Sequence, residues 1–118
     1  MMNAKEINHK EFEKLVGAGS LKDFTFAGSK PAIVDFYAPW CSYCTALAPI
    51  FEELAGKYGQ VADFYKADIE ASPELESKFN IRTIPTLLFA QAGAEPVLML
   101  GTMNRQQLEE KIKEIFKL

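Results

Sequence analysis

The sequence predicts an α/β protein with a central mixed β-sheet and helices on both faces. Segments with strand-like and helix-like patterns alternate along its 118 residues, and such alternation is typical of a parallel sheet core. The last two predicted strands are separated only by a short turn at Gly93, which favours an antiparallel hairpin and therefore a mixed sheet.

Composition limits the architecture and the partners. A chain of 118 residues that is 48% hydrophobic is long enough for one core and too short for two ordinary domains, so we expect a single domain over residues 1–118. The net charge is −3 and the basic residues are scattered, which argues against nucleic acid and anionic membranes as partners. No apolar run approaches the ~18–20 residues that span a bilayer.

The first half begins with a helix. Asn8-His9-Lys10-Glu11 has the form of a capping box, and Gly17 should end the helix that follows. Residues 20–31 are rich in turn-forming residues, with apolar positions that allow one short strand: Leu21, Phe24 and Phe26. The apolar run Ala32–Tyr37 predicts a central strand, and apolar residues at helical spacing predict a helix from Cys41 to about Tyr58.

The second half repeats the alternation and ends with a helix. A helix start of the Ser-then-Pro type occurs at Ser72-Pro73-Glu74, and Asn104 with Gln107 should open the last helix. The remaining apolar segments predict strands, at Val61–Asp68, Thr86–Ala90 and Val97–Leu100.

Both cysteines of the chain, Cys41 and Cys44, lie within four residues. Residues i and i+3 share one helix face with Cα atoms about 5–6 Å apart, which a disulfide accepts. If a helix begins at Cys41, the positive end of its dipole stabilises a thiolate there. Cys44 would lie one turn inward and be less exposed. The pair therefore predicts an attacking thiol and a resolving thiol.

Several non-redox interpretations of the two cysteines stay open at this point. A structural disulfide around a four-residue loop contributes roughly 2 kcal/mol, the low end for such bonds. A structural zinc site needs four ligands, and beyond the cysteines the chain offers only the distant His9. The thiols could also share a metal between two chains, or be buried and inert. We expect no metal site, and no cofactor other than a redox-active Cys41–Cys44 disulfide.

Several motifs, in the right order, resemble the thioredoxin family. Val34–Cys44 is similar to its active-site strand and helix, and Ile81–Thr86 is similar to the segment that carries its cis-proline. The resemblance covers roughly residues 31–117, whereas residues 1–30, an N-terminal helix and a variable segment, follow it only loosely. Three further positions agree with the family pattern: Ala48-Pro49, Lys66-Ala67-Asp68 and Gly101. The resemblance implies the thioredoxin fold.

The resemblance also implies roles for individual residues. Cys41 would attack a substrate disulfide and Cys44 would resolve the mixed disulfide. Asp35 occupies the family's buried acid position, where burial should raise its pKa and suit it to take the proton of Cys44. A second interpretation places Asp35 at a solvated strand edge. Lys66 would lie near Asp35 and bias its charge.

A substrate-docking surface is implied as well. Pro85 would stand opposite the dithiol after a cis bond to Ile84, leaving the Ile84 backbone free to pair with an extended substrate segment. Trp40 would shape this surface, together with Ser42 and Tyr43 between the cysteines. Gly101 would give a close backbone approach there.

The sequence departs from the family between its cysteines. Thioredoxins most often carry Gly-Pro where this chain has Ser42-Tyr43, and Thr45 replaces a frequent basic residue. Without the proline, a backbone N–H is restored that can stabilise a thiolate, whereas the loss of the positive charge at Thr45 acts in the opposite direction. We therefore predict a couple somewhat more oxidising than that of a Gly-Pro thioredoxin.

The resemblance predicts a thiol-disulfide oxidoreductase that reduces protein disulfides. Its electron donor would be a flavoprotein thioredoxin reductase, and the protein would be a monomer. Residues 1–6 have no apolar signal-peptide core, so we expect the cytoplasm, although a mature periplasmic fragment would look the same. Three competing functions stay open: a disulfide oxidase or isomerase in an oxidising compartment, a redox-inert binding module, and a glutaredoxin-type activity suggested only by Tyr43.

Overall fold

The computed structural model describes residues 3–118, so the first two positions of the predicted domain lie outside the described residues. In chain order the elements are β1 (Lys5–Glu6), α1 (His9–Leu15), β2 (Gly17–Ala18), β3 (Thr25–Phe26), β4 (Ala32–Tyr37), α2 (Ser42–Tyr58), β5 (Asp63–Asp68), α3 (Pro73–Lys78), β6 (Thr86–Ala90), β7 (Val97–Leu100) and α4 (Arg105–Phe116).

Five strands form one mixed sheet in the order β1-β5-β4-β6-β7. β5 lies parallel to both β1 and β4, whereas β6 lies antiparallel to β4 and β7. β2 and β3 form a separate antiparallel pair. The predicted mixed sheet and its terminal hairpin are therefore confirmed.

Helices cover both faces of this sheet, and β4 contributes alternate side chains to the core on each face. Val34 and Phe36 belong to a cluster with residues of α1 and α3. Ile33 belongs to a second cluster with residues of α2 and α4. Side chains of a strand point alternately to opposite faces, so Asp35 faces the same side as Ile33, beneath α2.

The predicted helix starts are correct at α1 and α4, where Asn8 and Asn104 form complete capping boxes. At α3 the predicted helix start is only partly correct. Ser72 is the N-cap residue but makes no side-chain capping bond. Its hydroxyl instead accepts the backbone N–H of His9 at 3.1 Å, so a tertiary contact replaces the local cap.

Two strand predictions need correction, and two short strands were not predicted. β5 begins at Asp63 rather than Val61, because the N–H groups of Val61 and Ala62 both donate to the carbonyl of Tyr58 in a turn. The short strand expected in residues 20–31 contains only Thr25–Phe26 and pairs with β2, which the sequence did not predict. β1 was not predicted either.

The N-terminal segment is held by α2 as well as by the sheet. The backbone N–H groups of Asn3 and Ala4 donate to the two carboxylate oxygens of Glu52 at 2.6 and 2.8 Å. The two polar residues of β1 carry no strand pattern, and the strand forms through its pairing with β5, next to a segment that Glu52 holds in place. Among residues 3–118, no helix has the length and apolar character needed to cross a membrane.

Candidate active site

Four chain segments converge at the carboxyl end of β4. The chain leaves β4 at Tyr37, turns, and enters α2 with Cys41 at its start. Because β6 runs antiparallel to β4, its first residue Thr86 lies opposite Phe36. Leu100 at the end of β7 lies opposite Thr86 in turn. The sheet register thus brings the segments around Pro85 and Gly101 close to the cysteines.

The two cysteines are free thiols at the first turn of α2. Cys41 is the N-cap residue, and its Sγ accepts the backbone N–H of Cys44 at 3.2 Å. The first turn contains no acidic residue, so the positive end of the helix dipole is not offset there. Cys41 is 6% exposed and Cys44 is 4% exposed. Cys44 is less exposed than Cys41, as predicted, but the difference in exposure is small because both residues pack into the core cluster below α1 and α3.

The environment of Cys44 opposes ionisation of its thiol. Burial raises the pKa of Cys44 to about 12, with a further contribution from its hydrogen bond with Cys41. At pH 7 a thiol with that pKa is ionised in only about one molecule in 10⁵. A nearby base that removes this proton would make Cys44 a nucleophile near neutral pH.

Asp35 is a buried carboxyl group without a hydrogen-bond partner. It is 1% exposed, and among the described residues neither of its carboxylate oxygens is hydrogen-bonded. This excludes the solvated strand edge. Burial raises the pKa of Asp35 to about 7, although the charge of Lys66 opposes the rise. A cavity of about 140 Å³ connects Asp35 to Cys44, with Thr45, Ala48 and Lys66 also in its lining.

Lys66 lies near Asp35, as the resemblance implied. It is directly opposite Asp35 in the parallel pairing of β4 with β5. Its ammonium group, however, lies over the ring of Tyr37, 4.8 Å from the centroid. The ammonium group therefore contacts an aromatic face and donates no hydrogen bond to Asp35 among the described residues, although its charge still acts on the carboxyl group.

The Ile84–Pro85 bond is cis, in agreement with the resemblance. The Cys41 thiol lies 3.8 Å from the carbonyl oxygen of Ile84, close enough for a weak S–H donor. The Gly101 N–H donates to the Pro85 carbonyl at 2.9 Å. A Cβ at Gly101 would meet nothing within 4 Å, and its φ is +84°. Within the chain, Gly101 is thus required by its backbone conformation and not by crowding.

Two aromatic side chains flank the dithiol in solvent. Trp40 is 68% exposed and Tyr43 is 66% exposed, so neither is a core residue; Ser42 is exposed beside them. The indole N–H of Trp40 donates to the Glu70 carboxylate, which fixes the exposed ring. Sequence reasoning missed Glu70, because an exposed acid that follows a strand carries no pattern of its own.

The geometry is suited to disulfide exchange: two adjacent thiols, a buried carboxyl group with a pKa of about 7 in the same cavity as Cys44, and exposed side chains around them. No group of three or more His, Cys, Asp or Glu that could hold a metal occurs within residues 3–118. The family model for thioredoxin matches residues 3–114. The chain belongs to the thioredoxin family. Its match begins at residue 3 rather than near residue 31, because the N-terminal segment shares the fold without sharing a distinctive motif.

Individual relatives agree with this family. A thioredoxin of Borreliella burgdorferi is 39% identical over 95 residues, which cover 80% of this chain and 81% of the relative. A chloroplastic M-type thioredoxin of Pisum sativum is 35% identical over 101 residues, covering 86% of this chain and 59% of the relative. The crystal structure of a chloroplastic thioredoxin z has a TM-score of 0.79 at 23% identity, covering 98% of this chain and 96% of that chain.

These comparisons confirm the thioredoxin fold that the sequence resemblance implied. They also establish the general activity: as a thioredoxin-family member, the protein is a thiol-disulfide oxidoreductase that reduces disulfides. Its Cys41-Ser42-Tyr43-Cys44 segment has the spacing that this chemistry needs.

Proposed function

We propose that Cys41 and Cys44 reduce protein disulfides by two consecutive exchange steps. The Cys41 thiolate attacks one sulfur of the substrate disulfide, forming a mixed disulfide and releasing the first substrate thiolate. The Cys44 thiolate then attacks Cys41 Sγ, which releases the second substrate thiolate and leaves a Cys41–Cys44 disulfide. Two electrons pass from the protein to the substrate, and each released thiolate takes up a proton.

Asp35 is the base for the second step in this proposal. Cys44 is almost entirely protonated near neutral pH, whereas Asp35 with a pKa of about 7 is partly ionised there. A base whose pKa lies near the working pH combines availability with proton affinity. The cavity that both residues line gives room for a proton to pass between them. Lys66 lies opposite Asp35 on the neighbouring strand, and its charge offsets part of the rise in the pKa of Asp35 without a hydrogen bond to the carboxyl group among the described residues.

The substrate docks beside Cys41 as an extended segment. The Ile84 backbone next to Pro85 pairs with it, and such main-chain pairing tolerates many sequences. Trp40, Ser42 and Tyr43 form the helix side of the surface, where two large exposed rings supply apolar contact. On the opposite side, the open space at Gly101 admits a substrate backbone.

The partners and surroundings follow from the family assignment. We propose protein disulfides as substrates and a flavoprotein thioredoxin reductase as the electron donor. The protein acts as a monomeric single domain in the cytoplasm, without a bound cofactor or metal. The redox-active disulfide itself carries the electrons.

Covalent trapping tests the assignment of the two thiols. In the Cys44→Ser variant the second step cannot occur, so mixed disulfides with protein substrates should accumulate on Cys41 and disappear on treatment with a reducing agent. The Cys41→Ser variant is the matched control and should trap none. Equal trapping by both variants, or by neither, would contradict the assigned roles.

A further inference from the structure

Three ionisable side chains form one row across the sheet beside the dithiol. Lys66 on β5 lies opposite Asp35 on β4 and opposite Glu6 on β1. Residues that share a register position in adjacent strands point to the same face. Lys66 is therefore placed between a buried carboxyl group and an exposed one, in the face that α2 covers.

Tyr37 contacts both other members of this row, Glu6 and Lys66. Its hydroxyl donates to Glu6 at 2.6 Å, and its ring receives the Lys66 ammonium. Burial and the Glu6 carboxylate raise the pKa of Tyr37, so the hydroxyl remains a donor at physiological pH. The same side chain thus fixes an anion through its hydroxyl and a cation through its face.

We propose that Glu6 and Tyr37 are positioning residues of the exchange reaction, which hold Lys66 away from Asp35 and so keep that carboxyl group a competent base. The proposal rests on the proposed role of Asp35. A lysine paired directly with Asp35 would stabilise its carboxylate and weaken it as a proton acceptor. In the structure, both Asp35 oxygens are instead without a hydrogen-bond partner in the described residues.

The charges around Asp35 come from a small set of groups. Lys66 faces it from β5 and lowers its pKa, whereas Glu6 on β1 raises it. Cys44 faces it from α2 and Tyr37 follows it on β4, both lining the same cavity. β6 contributes the apolar Leu87 opposite Asp35. Glu6 is the negative group in this set that a surface substitution can remove.

The test measures the titration of Asp35 by carboxyl ¹³C NMR in the reduced protein. The kinetic readout is the pH midpoint for release of thionitrobenzoate from its mixed disulfide with Cys41. Glu6→Gln should lower both midpoints by roughly half a pH unit, the effect expected of a charge about 10 Å away across two strand spacings. Glu76→Gln, on the exposed surface of α3, is the matched control and should leave them in place.

A second variant tests the positioning role of Tyr37. Tyr37→Phe keeps the ring under Lys66 but releases Glu6. As a single variant it should lower the pH midpoints of Asp35 titration and of thionitrobenzoate release. Combined with Glu6→Gln, it should cause no further shift. A further shift in the double variant, or no shift with Glu6→Gln, would overturn the inference.

Asp35→Asn separates the two proposals. If it leaves the pH dependence of release unchanged, the proposed role of Asp35 fails. If it removes that dependence while Glu6→Gln has no effect, only the positioning of Lys66 fails.

Discussion

Asp35 is the residue whose environment conflicts most with its chemistry. A carboxyl group that is 1% exposed and lacks a hydrogen-bond partner among the described residues is costly to ionise. Its folded-state pKa of about 7 lies above the ordinary value of 3.8. Between these two pH values the unfolded chain releases the proton and the folded chain retains it. The stability penalty therefore grows as pH rises through this window and is complete above pH 7.

Replacing Asp35 with asparagine should stabilise the protein in a pH-dependent way. The difference of about three pKa units corresponds to a gain of roughly 4 kcal/mol in the free energy of unfolding above pH 7, shrinking to under about 1 kcal/mol near pH 4. Urea unfolding at both pH values measures this gain. Asp23→Asn, at an exposed position, is the matched control. A gain that does not depend on pH would show that burial of the charge is not its source.

Residue-scale features differ in how well the sequence predicted them. The burial of Asp35 followed from its apolar strand neighbours, and the exposure of Trp40 from its place beside Cys41. Glu6 and Glu70 were missed because their partners, Tyr37 and Trp40, lie about 30 positions away in sequence. Only strand register and the course of the chain after β5 bring these pairs together.

At the scale of elements, the first turn of α2 provides the backbone N–H groups that lie near the dithiol. Cys41 is the N-cap, so Tyr43 occupies the second helical position, whose N–H has no partner within the helix. That N–H is a donor for an anion at the helix start. A more stable thiolate stabilises the reduced form and makes the couple more oxidising.

Tyr43→Pro should make the couple more reducing, because proline removes this N–H while fitting the first turn. The expected shift is on the order of 30 mV, equivalent to about 1.4 kcal/mol, measured by equilibration with glutathione. Tyr43→Ala removes the ring but keeps the N–H, so it should change the potential much less. Equal shifts in the two variants would assign the effect to the ring.

Elements with local signals were predicted well. The capping boxes at Asn8 and Asn104 gave the starts of α1 and α4, and continuous apolar residues gave β4 with its correct bounds. β1 escaped prediction because its pairing with β5 and the bonds from Glu52 to the segment before it are tertiary contacts. The two polar residues of β1 give no local sequence signal for these contacts.

At the scale of the whole molecule, the sheet separates two cores and the dithiol lies where they meet. Cys44 packs with the cluster below α1 and α3, whereas Asp35 points to the face covered by α2 and α4. Both residues line one cavity, so Cys44 in α2 faces its proposed base Asp35 although the two belong to different packing environments. Motif order predicted this assembly through the family resemblance, but composition and periodicity alone supply no distances between β4, β6 and β7.

A single-turnover reaction tests the central claim most directly. Fully reduced protein is mixed with a protein disulfide, and intact-mass and peptide analysis record the fate of every sulfur. We predict that each chain reduces one substrate disulfide and gains one disulfide, between Cys41 and Cys44, and that Cys41→Ser reduces none. Substrate reduction without a Cys41–Cys44 disulfide, or undiminished reduction by Cys41→Ser, would contradict the account.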